Sequence, residues 1–212
     1  MIKHHFFLAS ILILFTLPAV ALEKPEYEVL YQDGKIEYRL YQPYIVAQTN
    51  VSVEDEYNGA SNEGFRRLFK YITGANNTDI DIAMTAPVQM NMDDTGEKIA
   101  MTAPVQQKSN GDFLQVAFML PSKFNMDTAP APTDERVFIR EIPGRIMAVI
   151  RYSGRWTDRN RAKYEKRLRE NLQSHGIDTV SGAETAAYNP PFTPPFLRRN
   201  EIMFEVREHP SN

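Results

Sequence analysis

One heptapeptide, Ile-Ala-Met-Thr-Ala-Pro-Val, occurs twice in this chain, at residues 82–88 and again at residues 99–105. In each copy every second residue is apolar, which is the period typical of a β-strand. Because the offset between the copies is odd, a hairpin whose loop has an even number of residues would place both apolar sets on one face. The repeat therefore predicts a hairpin, with residues 93–96 between its strands. Pro87 and Pro104 cannot donate to a strand ladder, so each predicts an edge, a bulge or a bend.

The start of the chain has the composition of an export signal. Lys3 is followed by an apolar stretch at residues 6–17, and residues 19–21 have the small-x-small form of a signal-peptidase site. We therefore expect a signal peptide at residues 1–21 and a periplasmic or secreted protein with a single domain at residues 22–212. An uncleaved anchor is the alternative, but the apolar stretch is shorter than the roughly 20 residues that span a bilayer. No second apolar segment of that kind follows in the sequence, so no membrane span is expected after cleavage.

Composition excludes several classes of function. The chain has no cysteine, which rules out disulfides, thiolate nucleophiles and cysteine metal sites. A formal net charge of −3 gives no support to a nucleic-acid partner. Motifs of common hydrolases, metalloproteases and nucleotide-binding proteins are lacking. Beyond the signal, the histidines are His175 and His209, and both are expected at the surface.

Strand and helix patterns follow one another in the same order twice. This order predicts an α+β fold of duplicated β-α-β units, with pseudo-repeats at about residues 27–120 and 134–208. The predicted elements are strands at 27–31, 36–41 and 45–53, a helix at 55–72, the repeat, a strand at 113–120, a hairpin of 137–141 with 145–152, a helix at 157–175, and strands at 185–188 and 202–207.

Turn and cap residues support these boundaries. Residues 33–34, Asp-Gly, form a strong tight-turn dipeptide, and residues 143–144, Pro-Gly, indicate another turn. Thr157 or Asp158 can cap the second helix, which Gly176 would end.

Two pairs of phenylalanines are the best candidates for a ligand-binding surface. Phe65 and Phe69 lie on one side of the first predicted helix, and Phe192 and Phe196 lie in or beside the proline-rich loop at residues 189–195. Together they would line an apolar cleft for a flat ligand. Core packing explains the first pair equally well, whereas rings in a proline-rich loop fit a preformed wall.

The second helix and the residues just before it are rich in basic side chains. This pattern favours a solvated face laced with acidic residues. An anion-binding surface for carboxylate-bearing ligands is the alternative. The basic residues are Arg155, Arg159, Arg161, Lys163, Lys166, Arg167 and Arg169.

Several separate motifs follow one another along nearly all of residues 22–212. They are both copies of the heptapeptide, residues 70–76, the segment from Val137 into residues 152–154, and residues 188–191 leading to residues 198–202. With these motifs in this order, the chain resembles the SOUL/haem-binding protein family. The resemblance implies a monomeric domain whose two pseudo-repeated units form a distorted antiparallel barrel or sheet, with two helices on its outside.

The resemblance also implies non-covalent binding of haem or another tetrapyrrole beside the first helix, near the loop before the last strand. Carried over by position, Phe65 and Phe69 would line this cleft. Lys70 would lie near a propionate, and Phe192 would contribute from the loop. The family's small-molecule ligand would be the main partner of the protein.

Some positions depart from the family pattern. Asn62 and Thr193 stand where animal members look to have basic partners for the propionates, which removes charge-assisted contacts. Leu40 stands where some members are proposed to have an axial histidine, so no histidine binds the iron by that route. Methionines of the repeat region offer thioether ligands in principle, although core filling is more typical of them. They are Met84, Met90, Met92 and Met101.

The leading hypothesis is therefore an exported, non-enzymatic tetrapyrrole-binding protein. One alternative is a carrier or sensor of another flat hydrophobic molecule that uses the same cleft. A third arises because the fold resembles the GyrI-like effector-binding superfamily, some of whose members hydrolyse small ligands with a buried carboxylate. Glu201 beside Tyr188 would be that carboxylate, with a raised pKa. A structural pairing of Glu201 with Arg198 or Arg199 competes with this role.

Overall fold

The computed structural model describes most of the chain beyond the predicted signal peptide. The signal peptide itself and the second copy of the heptapeptide lie outside the described residues. Described are residues 23–53, 57–92, 113–189 and 192–211.

Within these residues the chain forms nine strands, two α-helices and a short 3-10 helix at Pro195–Leu197. The helices are α1 (Tyr57–Ile72) and α2 (Asp158–Ser174). The strands are β1 (Tyr27–Asp33), β2 (Ile36–Tyr41), β3 (Tyr44–Ser52), β4 (Val88–Met92), β5 (Phe113–Met119), β6 (Val137–Ile142), β7 (Arg145–Tyr152), β8 (Glu184–Ala187) and β9 (Asn200–Val206).

The strands form one curled antiparallel sheet in the order β1-β2-β7-β9-β8-β4-β5-β3-β6. Both helices pack on the same face of it, which we call the outer face. Helix α1 covers a core built mainly from β3 and β5, and α2 covers a core built from β2, β7 and β9. The two cores meet where β8 pairs with β4. The prediction of an α+β fold with an antiparallel sheet and two outer helices is confirmed.

The strand order has an internal symmetry. One unit runs β2-β3-α1-β4-β5 and the other runs β6-β7-α2-β8-β9, with equivalent strands at equivalent places in the sheet. The first strand of each unit leaves its own half: β2 pairs with β7, and β6 pairs with β3. The halves are thus joined by exchanged strands as well as by the β4–β8 pairing.

This exchange overturns the predicted hairpin of β6 and β7, which do not pair with each other. The chain instead crosses from one half of the sheet to the other at residues 143–144. A Cβ at Gly144 would lie 3.2 Å from the carbonyl oxygen of Tyr41, beside Pro43 in the link between β2 and β3. Gly144 therefore allows the connection between β6 and β7 to approach the connection between β2 and β3 closely. By contrast, Gly34 lies in a true hairpin turn between β1 and β2, with φ of 56°.

The first copy of the heptapeptide is also different from its prediction. Only its last residue, Val88, belongs to a strand, since β4 begins after Pro87. Both edges of β4 are occupied, by β5 on one side and β8 on the other. The first copy therefore does not form the predicted hairpin strand, and the second copy lies outside the described residues. Ile82 and Ala86 are buried, so this copy contributes to the core rather than to a separate hairpin.

Helix boundaries follow the predicted caps. The Thr157 hydroxyl accepts a hydrogen bond from the backbone N–H of Asn160 at 3.3 Å, which confirms the N-cap of α2. Gly74 and Gly176 follow the two helices with positive φ of 110° and 67°, a conformation that favours glycine. Leu168 and Leu172 are the buried residues of α2.

Helix α1 lies closest to the sheet at Gly64. A Cβ there would lie 2.5 Å from Cγ2 of the buried Val116 in β5. Gly59, in the same helix, has no atom within 4 Å of its Cβ position. We expect Gly64→Ala to be less stable than Gly59→Ala by about 1–3 kcal/mol, because both gain helix propensity but only the first is overpacked.

Urea unfolding of both variants beside the wild type checks this expectation. Gly59→Ala serves as the control for propensity and should equal or exceed the wild type in stability. Equal unfolding free energies for the two variants would contradict the close approach.

Candidate functional site

One flank of α1 presents an aromatic wall at the protein surface. The side chains of Phe65 and Phe69 are 37% and 43% exposed. Their rings are stacked, with centroids 6.0 Å apart and an interplanar angle of 13°. Exposed Asn62 lies on the same flank, three residues before Phe65 and seven before Phe69. The structure therefore brings these three predicted site residues together.

Phe118 of β5 fixes the position of this wall. Its ring meets that of Phe65 edge-on, with centroids 5.2 Å apart and an angle of 64°. Phe118 is itself buried, so it ties the base of Phe65 to the core while the outer ring faces remain accessible. The alternation of β5 predicts that Phe118 shares a face with Leu114 and Val116, but no sequence signal predicts this ring contact.

The proline-rich loop leaves the sheet near the wall. Phe118 is paired with Val88 of β4, and Val88 is paired with Ala187 at the end of β8. Two strand spacings, about 10 Å, therefore separate Phe118 from the strand end that leads into the loop. Phe192, in the loop, is 86% exposed, and Thr193 is half-buried.

Trp156 links the loop region to the core under α1. The backbone N–H of Gly154 donates to the carbonyl oxygen of Pro195 at 2.9 Å, which attaches the loop to the segment before α2. Two residues further on, the half-buried Trp156 packs against the α1 core. The sequence did not predict a place for Trp156 in the site. The one local feature that could have indicated it is its position between Gly154 and the helix cap Thr157.

Lys70 lies on a different flank of α1. It lines an open cavity of about 600 Å³ with Arg67, Tyr71 and residues 133–136 of the connector before β6. Each residue turns an α-helix by about 100°, so Lys70 is directed well away from Phe65. The structure does not bring Lys70 to the aromatic wall, and its contact with a propionate stays a prediction.

The carboxylate of Glu201 is fully buried on the inner face of the sheet. Both of its oxygens accept hydrogen bonds from buried or half-buried donors, which belong to three different residues. These are Tyr188 Oη at 2.7 Å, Arg39 Nη1 at 3.1 Å and Nη2 at 3.3 Å, and Arg199 Nε at 2.9 Å and Nη2 at 2.6 Å.

This environment lowers the pKa of Glu201. Burial alone would raise the pKa, but the charges of Arg39 and Arg199 and the donated hydrogen bonds outweigh it. Burial and the neighbouring carboxylate raise the pKa of Tyr188, so the phenol remains a donor. The predicted raised pKa of Glu201 is therefore wrong. Of its predicted structural partners, Arg199 is confirmed, whereas the side chain of Arg198 donates to the Thr193 carbonyl oxygen at 2.7 Å.

Side chains that can ligate iron are scattered. Met90 is buried in the α1 core, which confirms core filling, and Met84 is 38% exposed. His175 lies at the end of α2, with Nδ1 2.9 Å from the Asn171 carbonyl oxygen. Leu40 is half-buried in β2, on the other half of the sheet from the aromatic wall. Over the described ranges, no group of three or more His, Cys, Asp or Glu residues could hold a metal ion.

Fold and site together define an α+β protein of duplicated strand–helix units, with an aromatic wall on the outer side of a curled antiparallel sheet. Comparison with known proteins narrows this class, since the family model described as SOUL heme-binding protein matches residues 22–205. The chain belongs to the SOUL heme-binding protein family.

Named relatives match the chain over most of their length. Heme-binding protein 1 of Xenopus laevis is 29% identical over 181 residues, which is 82% of this chain and 85% of the relative. Heme-binding protein 1 of Bos taurus is 28% identical over 145 residues, or 68% and 69% of the two chains. A solved structure, the C-terminal domain of EcmrR, has a TM-score of 0.56 at 13% identity and covers 85% of this chain and 99% of that domain. At that identity the likeness supports the fold alone.

Proposed function

We propose that this protein binds haem or a related tetrapyrrole non-covalently on the aromatic wall of α1. The observation that carries the proposal is the pair of stacked, half-exposed rings of Phe65 and Phe69. A flat apolar macrocycle fits against such a wall, because it removes ring surface from water without changing the fold. Family membership and the names of the relatives support the same ligand class.

Three further predicted site residues are assigned to the rest of the ligand. Phe192 offers a second apolar surface from the proline-rich loop, and Asn62 offers a neutral hydrogen-bonding group beside the rings. Thr193 provides a hydroxyl next to Phe192. Affinity then comes mainly from apolar burial, with no histidine ligand to the iron. When bound, haem would supply a redox-active iron and a strong visible absorption band.

We also propose that the protein is a non-enzymatic, exported monomer. Export is supported by the leader-like composition of residues 1–21. The carboxylate of Glu201 accepts hydrogen bonds from Arg39, Arg199 and Tyr188. Because these donors use its oxygens, Glu201 supports a structural rather than a catalytic role. Among the described residues, no helix is both long enough and apolar enough to cross a membrane.

Titration of the purified protein with haem tests the proposal. We expect a shifted Soret band and quenching of Trp156, which packs against the α1 core. Metal-free protoporphyrin should bind within a few-fold of haem, because apolar contacts rather than an iron ligand hold the macrocycle. Absence of both signals at micromolar haem would refute the proposal. Much tighter binding of haem than of protoporphyrin would instead reveal an iron ligand.

A further inference from the structure

The proline-rich loop ends in an exposed apolar tip, formed by Phe192, Phe196 and Leu197. These side chains are 86%, 75% and 63% exposed. The next most exposed large apolar side chain in the described part of the chain is Met126, at 48%. Three neighbouring apolar side chains this far out of the surface are unusual in a soluble protein and indicate an interaction site.

The base of the tip is held in place by hydrogen bonds. Pro195 accepts from Gly154 at 2.9 Å, and the 3-10 turn is closed by the bond from Leu197 N–H to the Pro194 carbonyl oxygen at 2.9 Å. Arg198 also donates to Thr193 across the turn. A tip that is already formed loses little conformational entropy when it meets a partner.

A row of basic side chains starts beside the tip. Arg155 directly follows Gly154, and Arg159, Lys163 and Arg167 continue at intervals of four residues along one side of α2. All four are exposed. The acidic residues of α2 pair with other bases, in the ion pairs Arg161–Asp158, Lys166–Glu170 and Arg169–Glu165.

Within the described residues, no carboxylate lies within ion-pair distance of these four basic side chains, which we call the basic row. Their charges are therefore available to an anionic partner, although the whole chain is acidic at −3. The basic row therefore attracts anions locally, on its own side of the molecule, whereas the net charge of the chain would repel them.

We propose that the apolar tip and the basic row dock together on the surface of an anionic lipid bilayer. Phe192, Phe196 and Leu197 enter the boundary between headgroups and acyl chains, while the basic row lies against the headgroups. A bilayer suits this tip better than a folded partner does, because the tip consists of three side chains. A stable protein interface needs about 800 Å² of complementary surface on each side.

Co-sedimentation of the haem-free protein with lipid vesicles tests this inference independently of tetrapyrrole binding. We expect binding to vesicles of equal parts phosphatidylglycerol and phosphatidylcholine, weakening as salt is added, and little binding to pure phosphatidylcholine. The variant Phe192→Ser/Phe196→Ser should lose roughly tenfold or more in partitioning. Met126→Ser, which removes an exposed apolar side chain elsewhere, should bind as the wild type does.

A second charge variant separates the basic row from net charge. Arg159→Gln/Lys163→Gln removes two charges of the row and should weaken binding roughly tenfold or more. Lys35→Gln/Lys123→Gln removes the same number of exposed charges outside the row, so the loss should be much smaller.

Three outcomes would overturn the proposal. They are equal binding to both kinds of vesicle, no effect of the tip variant, and equal losses in the two charge variants. Sedimentation velocity adds a further check. Self-association of the wild type that is lost in the tip variant would make the tip a contact between copies of the chain.

Discussion

Glu201→Gln is expected to lower the free energy of unfolding by about 3–5 kcal/mol, the largest effect of any conservative substitution considered for this chain. The substitution preserves shape but removes the buried counter-charge that Arg39, which is 2% exposed, shares with Arg199. Arg39 keeps its ion pair with the 30% exposed Glu37 at 2.7 Å. Removing one partner of a buried ion pair is among the most destabilising changes that a single residue can make. Urea unfolding at neutral pH measures the loss directly.

Glu170→Gln provides the matched control. Glu170 forms an exposed pair with Lys166 at 3.8 Å, so the same chemical change there should alter stability by no more than about 0.5 kcal/mol. Similar losses in the two variants would show that the Glu201 cluster contributes little to stability.

The stability gap between wild type and Glu201→Gln should depend on pH. Because the folded pKa of Glu201 is lowered from 4.5, its carboxylate stabilises the fold fully above that value. As the pH falls further, through the folded pKa, the wild type binds a proton and loses this contribution. The glutamine variant has no group to protonate there, so the gap narrows. Unfolding curves at neutral and acidic pH test this, and a constant gap would contradict the lowered pKa.

Phe65→Ser/Phe69→Ser is expected to weaken haem binding by about 10- to 100-fold. The two rings are half-exposed in the free protein, so covering them with ligand contributes about 1.5–3 kcal/mol in total. Absorbance titration measures the affinity, and circular dichroism confirms that the variant is folded.

The control for this prediction is Phe113→Ser. Phe113 is 43% exposed at the start of β5, as Phe69 is in α1, so its substitution removes the exposed surface of one such ring outside the aromatic wall. Affinity should stay within about twofold of the wild type there. If both variants bind haem like the wild type, the ligand lies elsewhere on the molecule. If both lose affinity equally, the effect is a general one on the fold.

Local patterns in the sequence predicted the elements well, because caps and turns act over a few residues. The turn at Gly34 and the cap at Thr157 are examples. Pairing between strands depends on distant partners, and it was predicted less well. Pro143 and Gly144 have the composition of a hairpin turn, yet the chain crosses the sheet there, because β7 is paired with β2 and β9.

The site shows the same division between local and distant information. Helical spacing was enough to group Phe65 with Phe69, and the structure confirms that they stack at the surface. The contact of Phe65 with Phe118 needed the fold. Glu201 was identified from sequence, but its pKa was predicted with the wrong sign, since Arg39 lies 162 positions earlier in the chain. No local pattern reveals a counter-charge at that distance.

Strand exchange between the two halves has a consequence for how the chain is made. Ile36 of β2 is paired with Ile150 of β7, so one edge of β2 has no ladder partner until more than two thirds of the protein has been synthesised. Contacts so distant along the chain also slow folding, because a long loop must close before they form. A nascent chain released at the end of β5 would present the free edge of β2 and also that of β3, whose partner is β6. Exposed edges of this kind invite aggregation, which makes the interval before β7 emerges the most vulnerable period in the biogenesis of this protein.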